Sequence, residues 1–67
     1  MSVGKVTEIS ARSPESFEHA IERGIARAEE TIKNVKSAWI KEQQVKCGPQ
    51  GIEEYQVNMK VTFVLED

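Results

Sequence analysis

Two side chains in this sequence have the chemistry needed to bind a planar ligand. Trp39 offers an indole that can stack on an aromatic ring, and Gln56 offers a carboxamide that both donates and accepts hydrogen bonds. Together they could recognise the face and the polar edge of a planar heterocycle. They could equally be an interface tryptophan beside a solvated glutamine. The residue types leave both interpretations open.

The sequence contains no motif for catalysis. His19 is the only histidine, and neither a nucleophile–base pattern nor a phosphate-binding loop or nucleotide fingerprint accompanies it. Cys47 has no basic cluster around it that would clearly activate a thiol. We therefore predict that the protein is not an enzyme, that His19 is a solvated surface residue and that Cys47 is a passive thiol.

Carboxylates could form a cation site if several copies of the chain contributed them. Calcium takes six to eight oxygen ligands, and no EF-hand loop is present to supply them. Solvated carboxylates are the simpler interpretation. The candidates are Glu8, Glu42, Glu53, Glu54, Glu66 and Asp67.

The length of 67 residues predicts a single domain over residues 1–67 with a small core. Chains of this size usually need disulfides, a structural metal or oligomerisation. The one cysteine excludes an internal disulfide, and no cluster has zinc-ligand spacing. We therefore expect a homo-oligomer.

Charge and hydropathy narrow the classes of partner and the cellular location. The net charge of −2 is spread along the chain, which argues against a nucleic-acid partner. No apolar run approaches the roughly 20 residues that span a bilayer, which argues against a membrane partner. The first residues lack the apolar region of a signal peptide, and a single cysteine suits a reducing compartment. These features predict a cytoplasmic protein.

Hydrophobic periodicity predicts an α+β fold with the order β-α-β-β. Residues 3–10 form a weak first strand, and Ser13 and Pro14 start a helix that ends near Asn34. Residues 36–47 form a second strand, 48–51 a turn and 54–65 a third strand with strict alternation. The helical apolar stripe comprises Phe17, Ile21, Ile25, Ala28, Ile32 and Val35, with Gly24 on the same face for close approach of a strand. The prediction is a three-stranded antiparallel sheet wrapped on this helix, with Met59, Val61 and Phe63 beneath it.

The turn sets the register of the hairpin. If Gly48 lies opposite Gly51, Ile40 faces Met59 and Ala38 faces Val61 under the helix. The helix-free face then carries Ser37, Trp39, Lys41 and Gln43 opposite Gln56, Asn58, Lys60 and Thr62. The only tryptophan is thus predicted to project from an open, polar face, where it calls for a second subunit or a planar ligand.

Several strings, taken in order over nearly the whole chain, resemble those of the dodecins. They are Lys5-Val6 with Glu8-Ile9, the run from Ser13 to Phe17, Ala26-Arg27-Ala28, Asn34-Val35, Tyr55-Gln56-Val57 and the run from Val61 to Glu66. Dodecins are small β-α-β-β proteins that form hollow homododecamers, many of which bind flavins. The resemblance implies the same assembly here, with FMN or riboflavin as its ligand.

The resemblance also assigns candidate site residues. In flavin-binding dodecins a tryptophan of the second strand stacks on the flavin, and a glutamine of the third strand bonds its polar edge. Gln56 falls on the glutamine position, whereas Ser37 occupies the stacking position and Trp39 follows two residues later, about 7 Å along the strand. The segment around Trp39 is closer to a branch without the stacking tryptophan, which includes calcium dodecins. A structural or cation-binding shell without flavin is therefore the alternative.

Overall fold

The computed structural model describes residues 3–65 and has the predicted β-α-β-β order. Its elements are β1 (Val3–Ser13), α1 (Phe17–Glu29), β2 (Val35–Gly48) and β3 (Gly51–Leu65). All pairings are antiparallel, and the strand order is β1-β3-β2. The predicted fold class is confirmed. The long β3 is the central strand because it pairs with both of the others.

Both ends of the helix differ from the prediction. Ser13 continues β1, paired with Tyr55, so the chain is still extended where the helix was expected to begin. Ser16 is the N-cap instead, and its Oγ accepts a hydrogen bond from the His19 N–H at 3.0 Å. The helix ends at Glu29 rather than near Asn34. Asn34 has a φ of 61°, and its carbonyl accepts from Val64 N–H, which draws the chain into the sheet.

The core lies between α1 and the strands β1 and β3. Ala20 of the helix and Val57, Met59 and Val61 of β3 are fully buried. Phe63 is only partly buried, so the predicted core was correct for Met59 and Val61 but extended too far along β3. The predicted close approach at Gly24 is confirmed, since a Cβ there would lie 2.9 Å from both Ala11 Cβ and Met59 Cε.

The predicted hairpin register is confirmed near the turn and in the middle of the sheet. Gly48 lies opposite Gly51, Ala38 opposite Val61 and Ile40 opposite Met59. Between these pairs the register shifts by one residue, because irregularities after Ile40 and after Lys46 offset each other.

The shift corrects the prediction that Gln43 lies on the helix-free face. Gln43 pairs with buried Val57, whereas Glu42 and Gln44 pair with Asn58 and Gln56. Antiparallel partners share a face, so Glu42 and Gln44 are the residues on the helix-free side. The helix packs mainly on β1 and β3, so most of β2 is exposed on both faces, and only Val35 and Ala38 of this strand pack partly against the core.

Candidate functional site

The side of the sheet opposite α1, here called the open face, presents side chains from all three strands. Its residues follow from the pairings and alternate with the buried ones along β3. They are Val6, Glu8, Ser10 and Arg12 of β1; Glu54, Gln56, Asn58, Lys60 and Thr62 of β3; and Ser37, Trp39, Glu42, Gln44 and Lys46 of β2. Lys41 lies in the irregularity after Ile40 and belongs to the same face through its contact with Glu8. The predicted site residues Trp39, Gln56 and Ser37 all lie here.

Trp39 is the most exposed large apolar residue of this face, with 72% of its surface accessible. It lies on the edge strand β2 opposite Lys60. Next to it, Lys41 Nζ reaches Glu8 Oε2 of β1 at 3.2 Å, so this ion pair crosses over the central strand. The indole therefore stands beside a row of charged groups with its ring available to an external partner.

Gln56 belongs to a row of side-chain hydrogen bonds that crosses the sheet. Its Oε1 accepts from Arg12 Nε at 3.3 Å, and its Nε2 donates to Asn58 Oδ1 at 3.2 Å. Asn58 Nδ2 in turn donates to Glu42 Oε1 at 3.1 Å. A carboxamide has two N–H donors and two lone pairs. Gln56 is thus oriented by its neighbours while keeping one donor and one acceptor for a ligand.

Within one chain the structure does not bring the tryptophan and the glutamine together. Trp39 lies opposite Lys60, four residues from Gln56 along β3, which corresponds to about 13 Å. Ser37 lies opposite Thr62 and is farther away, about 20 Å by the same count. A single ring contacting both Trp39 and Gln56 would therefore need them from different copies of the chain.

The candidate cation ligands are dispersed, and three of the four that lie within residues 3–65 already have partners. Glu8 pairs with Lys41, Glu42 accepts from Asn58, and Glu54 Oε1 lies 3.9 Å from both Arg12 and Lys46. Glu53 lies at the hairpin tip, and Glu66 and Asp67 are outside the described residues. Within residues 3–65 no three acidic, histidine or cysteine side chains converge as a metal site.

A cluster that the sequence reasoning missed joins β1 to α1. Ser13, 1% exposed, has its Oγ 2.6 Å from His19 Nδ1, and Glu15 Oε2 lies 3.3 Å from the same nitrogen. Because both partners meet one ring nitrogen, this is not a relay in which serine and carboxylate use opposite nitrogens. The prediction that His19 is merely solvated is wrong, and the Ser13, Ser16, His19 spacing was the available signal.

This cluster leads to a prediction about stability. Ser13→Ala should lower the free energy of unfolding by about 1–3 kcal/mol. Ser13 Oγ also accepts a hydrogen bond from the Glu15 N–H at 2.9 Å, so the substitution removes a hydrogen-bond partner from both His19 and Glu15. Urea unfolding at a fixed subunit concentration measures the change. Ser10→Ala, on the exposed face of the same strand, is the matched control. Equal effects of the two substitutions would contradict a structural role for the cluster.

Comparison with known proteins places these features in context. The family model for dodecin matches residues 3–66. A dodecin from Thermus thermophilus is 37% identical over 65 residues, covering 97% of this chain and 94% of the relative. A calcium dodecin from Mycobacterium tuberculosis is 32% identical over 63 residues, covering 94% of this chain and 89% of the relative. The solved structure of the dodecin from Streptomyces davaonensis superposes with a TM-score of 0.94 at 35% identity, and the match covers 98% of this chain and 97% of that one. No helix within residues 3–65 is long and apolar enough to cross a bilayer.

Proposed function

Because this chain belongs to the dodecin family, we propose that it is a non-enzymatic, self-assembling protein that binds a flavin-class ligand, FMN or riboflavin. Dodecins assemble into oligomers of themselves, and a homododecamer is the assembly proposed here. The observation that carries the ligand proposal is Trp39, an exposed indole on an open polar face. Storage of the bound flavin, and so limitation of its free concentration, is the proposed role. The exposed free thiol of Cys47 suits the reducing cytoplasm, which is the proposed location.

The ligand is proposed to lie between copies of the open face. One face can cover only one side of a planar ring, and a second copy related by a twofold axis can cover the other. The separation of Trp39 from Gln56 along the sheet supports the same arrangement, since stacking from one copy could combine with the amide of another. Stacking on an aromatic ring is worth about 0.5–1.5 kcal/mol beyond the area it buries.

Gln56 is suited to reading the polar edge of a flavin. Its neighbours Arg12 and Asn58 fix the carboxamide and leave one donor and one acceptor unused. A flavin pyrimidine edge presents both acceptors and a donor. A buried hydrogen bond left unmade there would cost about 1–3 kcal/mol, which favours ligands with that edge.

Titration of flavin fluorescence tests the proposal. FMN or riboflavin should be quenched by the assembled protein. Trp39→Ala should weaken binding about tenfold, the equivalent of 1.4 kcal/mol. Trp39→Phe, which keeps an aromatic ring, is the matched control and should lose less flavin affinity than Trp39→Ala. Gln56→Ala should also weaken binding, and Ser37→Trp should strengthen it by supplying a ring at the family's stacking position. Unchanged fluorescence with an assembled parent at tens of micromolar would refute flavin binding.

The alternative function is a structural or cation-binding shell. The relative from Mycobacterium tuberculosis is a calcium dodecin, and the open face of this chain carries Glu8, Glu42 and Glu54. Since these carboxylates do not converge within one chain, the site would need several subunits. Calorimetry with calcium on chelator-treated protein separates the two functions. Calcium binding without flavin binding, weakened by Glu42→Gln, would favour this alternative.

A further inference from the structure

A row of four polar side chains crosses the open face, and its two ends carry opposite charges. The order along the row is Arg12, Gln56, Asn58 and Glu42, joined by hydrogen bonds of 3.3, 3.2 and 3.1 Å. Arg12 lies directly opposite Gln56 across β1 and β3, and Glu42 lies opposite Asn58 across β2 and β3. The row therefore links the two outer strands through two amides of the central strand.

The charged ends allow the two amides only one arrangement. A guanidinium only donates hydrogen bonds and an ionised carboxylate only accepts them, whereas a carboxamide does both. Next to Arg12, Gln56 must accept through Oε1, and it then donates from Nε2 to Asn58. Asn58 accepts through Oδ1 and donates from Nδ2 to the Glu42 carboxylate. Turning one amide around would set donor against donor on one side of it and acceptor against acceptor on the other.

The nearest other charges leave this row intact. Glu54 Oε1 lies 3.9 Å from Arg12 Nε, which is beyond hydrogen-bond length, while the same nitrogen bonds to Gln56 at 3.3 Å. Glu54 is also shared with Lys46, whose Nζ lies 3.9 Å away. Among residues 3–65, Lys46 approaches Glu54 but bonds to no side chain of the row. Lys46 is thus a neighbouring cation that does not orient an amide.

We propose that Arg12 and Glu42 are positioning residues, which fix the orientation of the Gln56 amide and so decide which ligand edge it accepts. Neither of them needs to touch the ligand. The unused acceptor of Gln56 belongs to an oxygen held towards β1, and its unused donor belongs to a nitrogen held towards Asn58. The complementary ligand is a planar heterocycle with a ring N–H beside a carbonyl, as in the imide edge of a flavin. This inference rests on the proposed flavin binding and assigns its selectivity to two charges of this chain.

Covering the open face would strengthen the row. In the single subunit the Arg12 side chain is 53% exposed, and Gln56 and Asn58 are half-buried, so water competes for their hydrogen bonds. A ligand or a second copy over the face excludes that water, and hydrogen bonds become electrostatically stronger as the local dielectric falls. A reversed amide would then leave unpaired groups out of water. The orientation is consequently enforced most strongly in the state that binds the ligand.

Two uncharged flavins test the selectivity. Lumiflavin carries the N3–H, and N3-methyllumiflavin lacks it but presents the same ring for stacking. The ratio of their dissociation constants, from fluorescence quenching by the assembled protein, measures how strongly the imide edge is read. The parent should prefer lumiflavin by at least about tenfold, and Gln56→Ala should bring the ratio to within about threefold of one. Because neither ligand is charged, a change of charge on the protein acts on both alike.

Charge reversal at either end of the row should remove most of this preference. Arg12→Glu leaves acceptors at both ends and Glu42→Lys leaves donors at both ends, so in each variant one hydrogen bond of the row cannot form. Their ratios should fall to within about threefold of that of Gln56→Ala. Arg12→Lys keeps a donor and Glu42→Gln keeps an acceptor, so both should retain the preference. Lys46→Glu is the matched control, since it reverses a neighbouring charge outside the row.

Unfolding without ligand tests the row itself. In about 1 M NaCl, where charges more than about 3 Å apart are screened, each reversal should raise the urea-unfolding equilibrium constant by about fivefold through the lost hydrogen bond. The double variant Arg12→Glu/Glu42→Lys should return to within about twofold of the parent, because both amides can turn around together. Its preference for lumiflavin should not return, since the donor and the acceptor of Gln56 have then changed places. Stability regained without selectivity is the result expected of positioning residues and not of merely structural ones.

Three results would overturn the proposal while leaving flavin binding intact. The first is a parent that quenches both flavins with equal affinity. The second is a preference that survives both single reversals, or that Lys46→Glu removes equally. The third is an additive loss of stability in the double variant, because the two amides would then not share one orientation.

Two further results separate this inference from the functions it builds on. If the assembled parent quenches neither flavin, the proposed flavin binding fails, and the unfolding measurements alone decide whether the two charges orient Gln56. Loss of the preference with Glu42→Gln would show that the carboxylate itself is required, as in the cation-binding alternative, and would overturn the positioning role of Glu42.

Discussion

Replacing Met59 with alanine is expected to lower the free energy of unfolding by about 2–5 kcal/mol. Met59 is fully buried at the centre of β3, and its Cε approaches the helix at Gly24. Truncation removes apolar contacts and leaves a cavity that the sheet cannot close, because Ile9 and Ile40 are fixed on either side by the strand pairings. In so small a domain this is a large part of the total stability.

Urea unfolding followed by circular dichroism at a fixed subunit concentration measures this change, since assembly contributes to apparent stability. Lys60→Ala is the control because Lys60 is the next residue of the same strand but lies exposed on the other face. Its effect should stay within about 0.5 kcal/mol. A loss below 1 kcal/mol for Met59→Ala would show that the core is not centred on this residue.

Gly24→Val is expected to destabilise the subunit by about 1–3 kcal/mol through overpacking. Valine is a slightly better helix former than glycine, so propensity alone predicts a small gain. The new Cβ would lie 2.9 Å from Ala11 Cβ and 2.9 Å from Met59 Cε. The methionine can rotate away, but the Ala11 Cβ is fixed to the backbone of β1, so the helix must shift.

A double substitution tests the origin of this loss. Met59→Ala removes one of the two clashing groups, so Gly24→Val should cost less in that background than in the parent protein. Glu22→Val is the control for a β-branched residue at an exposed helical position, with an expected loss of about 0.5 kcal/mol. If Gly24→Val proves as mild as Glu22→Val, the close approach of helix and sheet does not constrain this position.

The two core positions also matter for the proposed ligand site. Along β3 the buried Val57 and Met59 alternate with Gln56 and Asn58 of the open face. A shift of β3 by one residue would exchange the two sets. The packing that holds Met59 beneath Gly24 therefore also keeps the Gln56 amide directed away from the helix.

The sequence determined the fold class because its strongest signals are periodic. The alternation from Tyr55 to Leu65 allows only a strand with one buried face, and the glycines at 48 and 51 fix a tight hairpin. Those two features predicted Ile40 opposite Met59 and Trp39 on the open face, and this prediction holds because the two irregularities between the turn and Ile40 offset each other. The glycine within the apolar stripe of the helix was equally informative, since a helix retains glycine at a cost of about 1 kcal/mol only where packing requires it.

Only the tertiary structure decided the ends of the helix and the detailed content of the open face. Ser13 had the sequence of an N-cap but remains in β1 because pairing with Tyr55 is available to it there. Glu42 and Gln44 lie on the open face where Gln43 was predicted, because two offsetting irregularities shift the register locally. Alternation alone cannot reveal such irregularities. The distance between Trp39 and Gln56 is likewise a property of the pairing. Local sequence sets which residues alternate, whereas contacts between distant segments set where each alternation starts and stops.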